Sequence, residues 1–370
     1  MKKSLVALAV LAASGAAMAQ SSVTLYGVVD VFVGSSSTTN KGNVAVPSLR
    51  QTVETSGSVN GSRWGLKGSE DLGGGLNAVF DLQSGFSLDT GASGQGASGV
   101  GLLFGRQAIV GLQGGFGKVV VGRVITPFYD NEGMNDSMLN GSLSAQSNVM
   151  RTANGFNTFY DGKSGPTIAG VATGALANYV LRANNAVRYD TPNIAGFVGA
   201  VAYSLAERTQ TNFATNIGIS VVSTSLVYAN GPLSGVLAYQ SEKPFSVFGT
   251  ATDRNYTRLS GQYDFGKIIA KAGYGRVKNV DYVKDASTSE YQIGLDFKVT
   301  DAFLLTGGVA QSKDNLAAGD VKRTAYALGY KYTMSKRTFL YGGYESGVGK
   351  VNGSPDAKQN IFALGVQHRF

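Results

Sequence analysis

The chain contains no cysteine and a single histidine, His368, at the very end of its last candidate strand. Together these scarcities exclude most nucleophilic and metal chemistry. A Ser-His-Asp or Cys-His site needs an imidazole or thiol at the reacting group, and His368 reads instead as a residue at a membrane interface. Zinc sites built from histidine and cysteine fail for the same reason. Calcium held by oxygen ligands in acidic loops is the metal chemistry that the composition still permits. Proline is sparse, with 7 in 370 residues. No run of five or six basic residues occurs, so the positive charge does not point to nucleic acid. No apolar stretch beyond the first twenty residues approaches the roughly 20 residues that a membrane-spanning helix needs.

The amino terminus carries Lys2 and Lys3, an apolar segment from Leu5 to Ala13, and the small-residue end Ala17-Met18-Ala19. That order reads as a secretory leader over residues 1–19, too short to anchor in a bilayer, with the mature chain at 20–370 as one domain beginning at Gln20. An exported chain without cysteine cannot rely on disulfides. Its stability must come from extended β-structure or from a lipid environment. The formal charge is +8; once Lys2 and Lys3 leave, 30 basic residues stand against 24 acidic ones.

What the chain has in quantity is glycine (51), tyrosine (18) and phenylalanine (18). Glycine for tight turns and aromatics for interfacial girdles suit a transmembrane β-barrel. The patterning agrees. Between Glu290 and Val299, residues Tyr291, Ile293, Leu295, Phe297 and Val299 alternate with Glu290, Gln292, Gly294, Asp296 and Lys298, a period of two that a helix would scramble. Similar alternation runs through 322–334, 197–204 and up to Phe370. Candidate strands lie near 23–33, 59–69, 76–86, 103–113, 118–124, 184–190, 197–205, 217–229, 235–242, 255–265, 268–278, 289–299, 302–312, 322–333, 337–346 and 359–370. Short connectors alternate with long polar ones near 34–58, 87–102, 125–183, 243–254, 279–288 and 348–358, as short periplasmic turns and long external loops do. A sixteen-stranded antiparallel barrel, all β, is the expected fold. In a soluble sandwich the apolar face would pack on a second sheet, whereas here the opposite face is charged and the apolar face is rimmed by tyrosine.

The hairpin from Leu103 to Arg123, turning at Gln113-Gly114-Gly115-Phe116-Gly117, opens onto the longest irregular segment. Roughly fifty residues rich in Asn, Gly, Ser and Thr follow before alternation returns, and an insert of that length in a strand-dense chain is usually functional. It is expected to fold into the lumen. The literal G-x-G-x-x-G match at 94–99 lies in a Gly/Ser-rich loop with no helix after it, so nothing would hold a phosphate there.

Several stretches carry a family resemblance. Ser22-Val23-Thr24-Leu25-Tyr26-Gly27-Val28-Val29-Asp30 resembles the first strand of the general porins of beta-proteobacterial type. So do Ser62-Arg63-Trp64-Gly65-Leu66-Lys67-Gly68-Ser69-Glu70-Asp71-Leu72-Gly73, Arg106-Gln107-Ala108 with Val110-Gly111-Leu112, Gly114-Gly115-Phe116-Gly117, and Val187-Arg188-Tyr189-Asp190-Thr191-Pro192. The final His368-Arg369-Phe370 resembles the terminal signal read by the outer-membrane assembly machinery. The resemblance implies a homotrimer whose third external loop folds inward to form an eyelet, with a basic wall facing acidic loop residues.

Strand parity places Arg63 and Lys67 opposite Trp64 and Leu66, and Arg188 opposite Val187 and Tyr189, hence in the lumen. Parity cannot assign Arg106 and Arg123; the resemblance, which sets that hairpin near the subunit contact, puts both in the lumen. The insert opens with Asp130, Glu132 and Asp136, the expected facing acids. The chain is thus expected to be an outer-membrane porin, not an enzyme, that passes small hydrophilic solutes and inorganic ions by diffusion with mild anion preference. It needs no cofactor or metal, and its partners are outer-membrane lipid, lipopolysaccharide, copies of itself and the assembly machinery. Rival readings are a solute-specific channel, which Tyr129, Phe156, Phe159 and Tyr160 in the insert permit, an adhesin or enzyme on a similar barrel, and a soluble exported β-sandwich or lectin.

Overall fold

Along Ser287–Lys298 the alternation of the sequence becomes an outside and an inside. Tyr291, Ile293, Leu295 and Phe297 are 44% to 62% exposed, while Glu290, Gln292 and Asp296 are at most 5% exposed. Apolar side chains face out and charged ones in, the inverse of a soluble protein and the distribution that lipid outside and water inside require.

The computed structural model describes residues 22–40, 49–94, 102–138, 141–153, 167–168, 171–172, 179–205, 219–244, 252–316, 319–351 and 356–370. The leader, the greater part of the 94–99 glycine stretch, and Phe156, Phe159 and Tyr160 lie outside the described residues. The strands are β1 (Ser22–Asn40), β2 in two pieces (Leu49–Ser56 and Arg63–Gly73), β3 (Leu76–Phe86), β4 (Gln107–Gly114), β5 (Gly117–Ile125), β6 (Arg182–Asp190), β7 (Phe197–Ser204) and β8 (Ile219–Asn230). They continue as β9 (Leu233–Pro244), β10 (Arg254–Asp264), β11 (Ile268–Lys278), β12 (Ser287–Lys298), β13 (Phe303–Asn315), β14 (Val321–Thr333), β15 (Thr338–Val351) and β16 (Ala357–Arg369).

Every neighbouring pair is antiparallel, and β1 closes the barrel by pairing β16 on one side, from Val28↔Arg369 to Asn40↔Ala357, and β2 on the other. The sheet has eighteen strand segments but sixteen rungs. The two pieces of β2 lie end to end along β1, and Ser93–Gly94 continues the line of β4 along β3. Closure leaves no unpaired sheet edge in the hydrocarbon, where every backbone group must be satisfied internally.

Among the boundaries that differ from the sequence reading, three have a physical reason. First, β1 extends to Asn40 and pairs with Leu49–Ser56, so much of the expected 34–58 loop is a hairpin standing above the membrane. From Ser35 to Asn40 the strand carries only Ser, Thr and Asn, so the apolar alternation that marks a membrane strand is missing. Second, the strand expected from 59 starts at Arg63, because the chain turns through 57–62 to bring Ser58 and Asn60 onto Asp30: both backbone amides donate to its carboxylate, at 3.1 Å each. Third, the strand expected from 103 starts at Gln107, after a turn at 102–106.

Candidate functional site

The insert between β5 and β6 is tied at its neck by Thr126, whose backbone N–H donates to the Leu181 carbonyl (3.0 Å) and whose hydroxyl donates to that of Val180 (3.0 Å). Pro127 at the first position starts a short helix, α1 (Pro127–Asp130), and a 3-10 turn follows over Glu132–Asn135. Polar side chains of the barrel wall then hold the loop step by step. Ser223 accepts from the Phe128 N–H at 3.0 Å, Ser260 from the Asn135 amide at 2.9 Å, and Lys271 donates to the Asp136 carbonyl at 2.7 Å. A second short helix, α2 (Ala145–Val149), capped by the Ser144 hydroxyl, lays Ala145, Val149 and the following Met150 on Ala310, Ala325 and Ala327 of β13 and β14.

The wall has been cleared for this loop. Gly308 faces Ser137 so closely that a Cβ there would lie 2.2 Å from its hydroxyl oxygen, and one on Gly294 would lie 2.3 Å from the same side chain. Past α2, buried charges lock the loop. Arg151 pairs with Asp314 at 2.7 Å, and Asp314 also holds Arg323 at 2.9 Å. Burial presses the Arg151 guanidinium down, but the charge of Asp314 outweighs it and holds it above its usual value. Glu290 accepts from the Thr152 N–H (3.0 Å) and hydroxyl (2.6 Å), and Arg258 donates to the carbonyls of Thr152 (2.5 Å) and Phe128. Removing one partner from such a knot costs about 3–5 kcal/mol, because a charge is left buried and unpaired.

Between this loop and the wall of β2 to β6 lies an open cavity of about 700 Å³. Arg63, Arg106, Lys118 and Arg188 line it from the wall, Tyr129, Asp130 and Met134 from the loop. Arg106 donates from Nε to the Gln83 amide oxygen (2.8 Å), and Arg63 from Nη1 to the Gly61 carbonyl (3.0 Å); neither has a carboxylate partner among the described residues. Burial, and then the charges of Arg182 and Arg63, press the Arg106 guanidinium downward. The acids on the cavity are engaged. Asp130 pairs with Arg188 at 2.8 Å, and Asp81 accepts from the Tyr26 hydroxyl (2.5 Å) and the Gln107 amide (3.1 Å).

The other candidates sit elsewhere. Lys67 lies over the Tyr26 ring, 5.1 Å from its centroid, beside a smaller cavity nearer the short turns. Arg123 donates to the Gly105 carbonyl (2.7 Å) and to Asn184, off the main cavity. Glu132 and Asp136 do not face the wall arginines across it. Glu132 is 2% exposed and takes the Tyr179 hydroxyl, whose proton burial and then the charge of Glu132 hold well above the usual tyrosine range. Asp136 is buried too and borders a separate cavity. The reason is local: a helical turn followed by a 3-10 turn sends successive side chains around an axis, so closely spaced acids do not share a face. Phe370 ends the barrel seam, its backbone paired with Gly27 in both directions at 3.0 and 3.1 Å.

Sequence reasoning missed Arg182, Lys118 and Asp81. Arg182 lies 5.3 Å from the Tyr129 ring and beside Arg106. A register shift between Ala183 and Ala186 separates it from the regular part of β6, so parity could not place it. Asp81 follows the parity of its strand and could have been found by extending it, whereas Lys118 lies on the hairpin whose faces parity cannot assign.

Comparison with known proteins points the same way as this geometry. The profile of the Gram-negative porin family matches residues 4–368. An outer membrane porin protein of Bordetella pertussis is 31% identical over the full length of both chains. Outer membrane porin protein 32 of Delftia acidovorans is 36% identical over 92% of this chain and 88% of its own. Among solved structures, an anion-selective porin from Comamonas acidovorans is 27% identical, with a TM-score of 0.71 over 95% of this chain and all of that one. A closed barrel of sixteen strands, apolar outside and charged within, narrowed by a loop anchored to its inner wall, is how such a family makes an aqueous pore, and this chain is a member of the Gram-negative porin family, a channel of the outer membrane.

Proposed function

We propose that the channel prefers anions, and that the constriction between Arg63, Arg106 and Arg182 on the wall and Tyr129 and Asp130 on the loop sets that preference. One observation carries this reading: Arg63 and Arg106 face the cavity without carboxylate partners, whereas Asp130 is engaged by Arg188, and Asp81 by Tyr26 and Gln107. Uncompensated positive charge at a low-dielectric rim focuses the potential and raises the local anion concentration. The Comamonas acidovorans porin, described as anion-selective, supports it by similarity. Lys67 and Arg123 add to the positive field above and below the constriction, while Arg188, on the cavity wall, is paired with Asp130 and Asp190. Glu132 and Asp136 serve to seat the loop.

Substitution of both Arg63 and Arg106 by Ser tests the reading. The chloride-to-potassium permeability ratio of the double variant in planar bilayers should fall several-fold at unchanged trimer yield. An unchanged ratio would contradict the assignment.

The same reading takes the chain as a homotrimer in outer-membrane lipid and lipopolysaccharide, made with a cleaved leader over 1–19. Strands β4 to β6 are only 8 or 9 residues long and turn compact side chains outward, among them Val110, Leu112, Val121 and Val187. The taller strands carry Tyr239, Tyr263, Tyr291 and Tyr326 on their outer faces. A low wall of small apolar side chains suits contact with a second copy, and a tall tyrosine-rimmed wall suits lipid. Phe370, half exposed beside the closing seam, suits a signal read by the assembly machinery. Transport by diffusion through such a pore calls on no cofactor and no enzymatic step.

A further inference from the structure

Below the constriction, toward the end with the short turns, the lumen breaks its own rule of polar side chains inward. Ile269, Leu304 and Phe339 point into the pore, each next in sequence to an outward apolar neighbour, Ile268, Leu305 and Leu340, that is 38% to 43% exposed. The three border a cavity of about 610 Å³, together with Lys331 and Arg369. The Lys331 ammonium lies 5.7 Å from the centroid of the Phe339 ring. Lys331 and Arg369 have no carboxylate partner among the described residues. The other two cations of this vestibule are committed: Lys271 to Asp296 at 2.7 Å, and Lys298 to Asp264 at 2.6 Å. Asp301 stands at the rim, on the turn between β12 and β13, and Asp136 is buried under the loop.

A passage for hydrated inorganic ions has no use for three apolar side chains in its wall. Beside two free cations, however, they match a solute that is apolar at one end and anionic at the other. We propose that this vestibule is a binding station for amphipathic organic anions, of which an aromatic carboxylate is the simplest. The ring lies against Phe339 and Leu304, where aromatic and aliphatic contact is available, and the carboxylate takes charge-assisted hydrogen bonds from Lys331 and Arg369. Such a station captures the solute weakly enough to release it, the condition for conduction. Nothing in it depends on the ion preference of the constriction above.

Benzoate is the probe, with acetate and benzyl alcohol as its anionic and apolar halves, each added to both sides of a planar bilayer holding the full-length channel. Benzoate should reduce the chloride current at concentrations at which acetate and benzyl alcohol leave it unchanged. Lys331→Gln and Phe339→Leu should each raise the half-blocking concentration about 3-fold, read relative to each variant's own unblocked KCl current. Block by benzoate no stronger than by acetate, or equal half-blocking concentrations in wild type and both variants, would overturn the station. So would a block that is unchanged in those variants but lost when Arg63 and Arg106 are replaced by Ser, because binding would then belong to the constriction. The KCl reversal potential of the same membranes reads the constriction separately.

Discussion

Tyr179 leaves the barrel to sit wholly buried between Phe128 and Tyr256, its ring centroid 4.6 Å and 5.6 Å from theirs, and its hydroxyl on Glu132. Burial and then Glu132 hold its proton well above the ordinary tyrosine value, and burial followed by Glu242 does the same for Tyr282 in the external loop after β11. A group whose folded value is raised stabilises fully below its unfolded value, about 10 for tyrosine, and that contribution is lost as pH rises through the folded value. The loop should therefore stay seated to about pH 10 and loosen above it, seen as growing noise in the open-channel current. Tyr179→Phe should remove part of that alkaline noise; an alkaline profile identical to wild type would contradict this role. None of this was legible in the sequence, where Tyr179 is one aromatic in an irregular insert. Arg63 and Arg188 were legible, because strand parity alone fixes their side of the wall. Arg182 was not, since the irregularity after it removes the period on which parity depends.

The inward loop owes its course to what its neighbours lack as much as to what they offer. Gly308 and Gly294 leave the space that Ser137 fills, and a Cβ at Gly308 would lie 2.2 Å from the Ser137 oxygen but 3.4 Å from its Cβ. Gly308→Ala should therefore push the loop off the wall and lower the single-channel conductance, and Ser137→Ala in the same chain should restore it. Unchanged conductance in Gly308→Ala would show that the loop does not rest there. At this scale the strands were readable wherever one face met lipid, as in Ser287–Lys298, because a membrane imposes a period of two. Beyond Val33, β1 runs through Gly, Ser, Thr and Asn with no apolar residue, the period fades, and its extension was read as a loop. The loop helices were missed for a related reason: α1 and α2 have four and five residues, held by wall side chains far away in sequence rather than by their own propensity.

As a whole the molecule is a closed wall whose lipid face is generic and whose inner face is specific. The outer face settles family and location, and it was the most legible part of the chain. The inner face sets what passes, and in the proposed anion preference the positive excess of the composition becomes local there, with Arg63 and Arg106 on the cavity and Arg182 near Arg106. Net charge alone could not say this, since the same excess spread over the external loops would leave the pore neutral. The most direct test is the reversal potential of the purified wild-type channel in a planar bilayer under a KCl gradient. Discrete conductance steps with a reversal potential on the chloride side are the predicted result. A reversal potential on the potassium side would contradict a constriction governed by those arginines.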